Sequence, residues 1–113
     1  MIINKVPETG NYIYIIKPTD TSLPEGKVLL KQPPLEMLQF GVEGHIELIP
    51  LFNKFFGRLC VAFCHEEGKL MGKLPNLLAQ HYWETSVGKI ITEDHLVGNI
   101  VVIVCEPSFL KEM

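Results

Sequence analysis

Glu66, Glu67, Lys69 and Lys73 crowd into one dozen residues, HEEGKLMGKLPN (65–76), which Asn76 closes. Two lysines just before a helix start, where backbone N–H groups lack intrahelical acceptors, could hold a phosphate or carboxylate. The adjacent acids oppose that use unless they turn away or accept hydrogen bonds from a ribose or base. Glu47, on a neighbouring strand, could meet Glu66 or Glu67 and form the carboxylate pair that acid/base chemistry requires. The candidate ligand site is therefore Glu47, Glu66, Glu67, Lys69, Lys73 and Asn76. A plainer account makes the stretch a bend. Gly68 then supplies positive φ, Gly72 bends the chain again, Pro75 takes a first helical position, and Asn76 caps the helix or lies in its first turn.

Other chemistry finds less support. His45, His65, His81 and His95 are scattered, and Cys64-His65 would point to opposite faces of a strand, so no metal site is expected. There is no Gly-x-Ser-x-Gly elbow and no phosphate loop. No catalytic residue and no cofactor are assigned, and a non-enzymatic role is expected. Cys60, Cys64 and Cys105 are an odd set. The first two, four residues apart on one strand at ~3.3 Å per residue, lie too far apart for a disulfide, and all three read as small buried thiols. Tyr12, Tyr14, Tyr82 and Trp83 could stack on a base, but aromatic residues on a packed helix belong to the core, and Trp83 is expected to be mostly buried.

The chain of 113 residues has 47% hydrophobic and 20% charged residues, which describes one folded domain spanning 1–113. Its net charge of -3, with no like-charge run beyond two residues, gives neither the basic stripe that binds double-stranded nucleic acid nor an acidic DNA mimic. No apolar stretch reaches signal-peptide or membrane-spanning length, so a cytosolic protein without a membrane partner is expected.

The elements that must position the candidate site follow from hydrophobic period. NYIYIIKP (11–18) and KVLLKQ (27–32) read as strands, and PLEMLQFGVEG (34–44) as a short helix ended by Gly41 or Gly44. GHIELIPLF (44–52) alternates as a half-buried strand. GRLCVAFCHEEG (57–68) alternates most clearly, with Leu59, Val61 and Phe63 on one face and the small Cys60, Ala62 and Cys64, suited to a close helix, on the other. NLLAQHYWE (76–84) pairs Leu78 with Tyr82 and Ala79 with Trp83 at helical spacing, and Ile100–Val104 is a continuous β-branched run suited to a central strand. The sum is an α+β fold: a small, mainly antiparallel sheet of four or five strands with two short helices on one face. FNKFFG (52–57) would be a six-residue connection whose Phe52, Phe55 and Phe56 either fold back onto the core or form an interface.

Three segments together resemble the family called domain of unknown function 3846, found in phages, mobile elements and gut bacteria. They are Gly44, Ile46 and Glu47; then Glu66, Glu67, Gly68, Lys69 and Leu70 with Pro75, Asn76 and Ala79; then Val97, Gly98 and Asn99. The resemblance spans about residues 40–105. Leu77 stands where members often have Arg, and His65 where Asn is common. What the resemblance implies is a mobile-element setting rather than a reaction. With the lack of catalytic constellations, it leads to an expected accessory or counter-defence protein. Such a protein would bind a host protein or sequester a small, nucleotide-like ligand, as a homodimer joined through the phenylalanine loop or a strand edge.

Overall fold

A computed structural model describes residues 6–87 and 94–111. The elements run β1 (Tyr12–Ile16), β2 (Lys27–Val28), α1 (Leu35–Val42), β3 (Ile46–Leu48), β4 (Lys54–Phe55), β5 (Arg58–His65), α2 (Leu77–Val87), β6 (Ile100–Val104) and α3 (Pro107–Lys111). The sheet is antiparallel throughout in the order β2-β1-β6-β5-β3, with β4 beside the start of β5. The α+β reading holds, and β6 lies at the centre as its unbroken apolar run requires.

All five residues of β6 are buried. Successive strand residues face opposite sides, so burying every one demands cover on both faces. The helices accordingly lie on opposite faces and not, as expected, on one. Leu38 and Val42 of α1 pack with Ile13, Val101 and Ile103. Ala79 and Trp83 of α2 pack with Cys60, Ala62, Ile100, Val102 and Val104. The small face of β5 does receive a helix, and it is α2. Gly41 lets α1 approach, because a Cβ there would stand 2.5 Å from Val101 Cγ2.

The phenylalanine connection is corrected in part. Phe52 and Phe55 are each 2% exposed and belong to the core, whereas Phe56 is 52% exposed. The connection is a two-residue turn between β4 and β5, with Phe56 at φ 52 and Gly57 at φ 79. What pulls it inward is α2: Ser86 Oγ accepts from the Asn53 and Lys54 N–H groups and donates to the Leu51 carbonyl, and Trp83 Nε1 donates to the Pro50 carbonyl at 2.9 Å. Phe52 and Phe55 are thus removed as interface residues.

The far end of β5 is tied to the chain's first described segment. Arg58 donates to the Pro7 and Gly10 carbonyls and to Glu106 Oε1, which also accepts the Gly10 N–H. The second strand is shorter than expected, two residues, although Leu29 still donates to the Asn11 carbonyl.

Candidate functional site

At the other end of β5 the chain turns at residues 66–72. Register places Glu47 of β3 directly opposite Cys64 of β5, so both side chains project on the α2 face. Trp83 closes that face from α2, and Gln80 of the same helix accepts the Leu96 N–H and donates to the Asp94 carbonyl. Asn76 N–H donates to the Leu96 carbonyl, Gly98 N–H donates to the Leu74 carbonyl, and Pro75 bridges Val97. Residues 94–98 are thereby clamped opposite the turn.

Between these parts lies a cleft of about 340 Å³. Ile49, Cys64, Trp83, Leu96 and Val97 line it with apolar surface, and Glu47, His65, Glu66, Glu67, Lys69, Asp94 and His95 carry its polar groups. Four of the six predicted ligand residues therefore share one hollow: Glu47, Glu66, Glu67 and Lys69. Four carboxylates stand there against one ammonium, and that ammonium is paired with Asp94.

The other two do not join them. Lys73 turns to Glu43 at 3.6 Å and lines a neighbouring hollow of about 560 Å³ that also takes in Lys69, Gln80 and Asp94. Asn76 is fully buried. Its Nδ2 donates to the Ile16 and Gly98 carbonyls at 2.8 and 2.9 Å, and its Oδ1 accepts the Ala79 N–H at 3.0 Å. That is a helix cap with every polar atom committed, so Asn76 is structural and not a ligand residue. Pro75 accordingly precedes the cap instead of opening the helix.

The bend departs from expectation at one glycine. Gly72 has φ 68, as a reversal requires, but Gly68 is absent from the positive-φ residues. What Gly68 supplies is close approach: a Cβ there would lie 3.1 Å from Val97 Cγ2, so a larger residue would require the Val97 side chain to give way. His65 shapes the same bend. Its Nδ1 accepts the Glu67 N–H at 2.9 Å, and its ring fills the space where a Cβ on residue 44 would stand, which is why glycine is found there.

The electrostatics of the floor follow from burial. The Cys64 thiol is pushed above its ordinary pKa chiefly by burial and secondarily by the Glu47 carboxylate, with Lys69 acting oppositely. Cys60, deeper on the same face, is pushed up to about 12, again chiefly by burial. Both are protonated at neutral pH, and a thiol is a far weaker nucleophile than a thiolate. All three cysteines are free. Among the described residues, no cluster of three or more His, Cys, Asp or Glu is arranged to hold a metal ion, and no helix is long and apolar enough to cross a membrane.

Carboxylates accept hydrogen bonds and donate none when ionised. The cleft's uncommitted polar groups are therefore dominated by acceptors over an apolar floor. That arrangement suits a cationic or donor-rich group with a hydrophobic flank. A phosphate at ~6 Å would lose about 1–3 kcal/mol to each facing carboxylate, between the limits of bulk water and a protein surface. Sequence reading missed Asp94 and Gln80. The DHLVGN run (94–99) could have pointed to Asp94, because it places an acid and a histidine just before a strand. Gln80 gave no signal apart from its position on α2. Comparison with protein-family models, curated proteins and solved structures found no match to this chain.

Proposed function

We propose that this chain is a small binding protein of phage or mobile-element type, an accessory or counter-defence factor, that captures a positively charged or donor-rich group in the cleft at the 66–72 turn. The observation that carries the reading is the convergence of Glu47, Glu66 and Glu67 on one apolar-floored hollow while Lys69 is held by Asp94. Like charges gathered at one place oppose folding, so their presence suits recognition better than stability. The mobile-element setting rests on the family resemblance of residues 40–105.

Native mass spectrometry of the protein isolated from its host tests this reading. A retained cationic or amine-rich molecule, or a basic partner, is expected, and less of it should be retained by the Glu47→Gln variant. Retention of an anionic ligand that survives this substitution would overturn it.

A second reading keeps the same residues for catalysis, because a carboxylate pair in a cleft is what acid/base hydrolysis or transfer needs. It requires turnover of a nucleotide-like substrate that disappears in Glu47→Gln and in Glu66→Gln or Glu67→Gln. The sequestration of a nucleotide has weaker support: among the described residues the lysine hollow is lined by no phenylalanine, tyrosine or tryptophan, its ring being that of His95, and both of its lysines are ion-paired.

A further inference from the structure

We infer that the cleft receives its cation from an extended peptide that adds as a strand to the outer edge of β3, setting an arginine or lysine opposite Glu47. This inference rests on the binding role proposed for the cleft. Its own support is the edge. β3 is the last strand on its side of the sheet. Ile49 N–H donates to the Ala62 carbonyl and His45 accepts the Glu66 N–H, so the odd-numbered residues 45, 47 and 49 turn their backbone groups toward β5. The N–H and C=O groups of Ile46 and Leu48 consequently face away from the sheet. Among the described residues no side chain or backbone group pairs with them.

The side chains along this edge define the occupant. Leu48 is 57% exposed and Ile46 partly exposed, both on the α1 face. Glu47 projects on the other face into the cleft, beside Glu66 and Glu67. An added strand that satisfies Ile46 and Leu48 therefore places two residues over an apolar surface and the one between them over carboxylates. The pattern is apolar-basic-apolar. A second copy of this chain fits poorly: antiparallel pairing about Glu47 would set the two Glu47 carboxylates side by side. Charge complementarity thus selects a basic peptide over a homodimer at this edge.

Titration calorimetry and amide hydrogen exchange with acetylated, amidated Thr-Val-Arg-Val-Thr test it. Saturable binding is expected, with slowed exchange at Ile46 and Leu48. Methylating both valine nitrogens should weaken binding at least tenfold, because it removes the two donors aimed at β3. Glu47→Gln should weaken it at least threefold. Equal affinity of the methylated peptide, or unchanged exchange at Ile46 and Leu48, would overturn the edge. So would binding of N-acetyl-arginine methylamide as tight as the peptide's, a result that leaves the cleft reading intact. Peptide binding that is indifferent to Glu47→Gln, Glu66→Gln and Glu67→Gln would overturn the inference and the cleft reading together.

Discussion

The two ends of β5 are built from similar polar material and put to different use. At the first, Arg58 is held by three acceptors, and Glu106 takes hydrogen bonds from both Arg58 and Gly10. Both of these charges have partners, and together they join residues 7–11, β5 and the end of β6. At the second, some 20 Å along the strand at ~3.3 Å per residue, Glu47, Glu66 and Glu67 share a cleft in which, among the described residues, the lysine is Lys69, paired with Asp94. A polar group that is satisfied internally holds a fold together. Polar groups gathered and left facing a hollow have been placed for something else to satisfy.

The strongest way to break the comparison is at the closed end. Arg58→Ala should cost about 2–4 kcal/mol, because the side chain is 12% exposed and leaves two carbonyls and a carboxylate short of a donor. Urea denaturation measures it, and a cost below about 1 kcal/mol would show that the network is decorative. Asn76→Ala, which removes a fully buried polar side chain near the open end, should cost about 2–3 kcal/mol, since three hydrogen bonds and a helix cap go together. It sharpens the comparison by separating the residue that holds the open end from those that line it.

The thiols give a smaller contrast. Cys60 is pushed up to about 12 in the folded protein from an ordinary value of 9.0. Between those values the unfolded chain has lost the proton and the folded one keeps it. Stability is therefore undiminished by this group below pH 9 and falls above it, by up to about 1.4 kcal/mol per pH unit. Cys60→Ala should flatten that part of the pH profile. Native alkylation should reach Cys64, which lines the cleft, well before the buried Cys60 and Cys105. The smallest effect belongs to Glu66→Gln, an exposed side chain, which should leave stability within about 0.5 kcal/mol.

Much of this frame was legible in the sequence because it depends on local period. The alternation of Leu59 to Cys64, the β-branched run of Ile100 to Val104 and the spacing of Ala79 and Trp83 each named an element and its buried face. β6 also held the clue to two-sided cover: a strand with no polar residue needs helices on both sides, and that consequence was there to be drawn. What could not be read was anything set by distant pairing. Phe52 and Phe55 turn inward because Ser86 and Trp83, some thirty residues away, satisfy the backbone around them. Asn76 is unavailable to a ligand because Ile16 and Gly98 meet it from two other elements. Gly68 was expected for its backbone freedom, but its φ is not positive, and what marks the position is the close approach of Val97. The meeting of Glu47 with Glu66 and Glu67 is the exception: two strands joined by one short connection were expected to be neighbours, and the register sets Glu47 opposite Cys64, two residues before the acidic pair.

Thermal unfolding of the triple variant Glu47→Gln, Glu66→Gln, Glu67→Gln asks most directly whether the open end is shaped for recognition or for the fold. Removing mutual repulsion without changing side-chain size should leave the melting temperature unchanged or raise it by a few degrees, while abolishing capture of the cleft's ligand. A fall of ten degrees or more would contradict the account, because it would mean that those carboxylates are held by the fold and were never free for a partner.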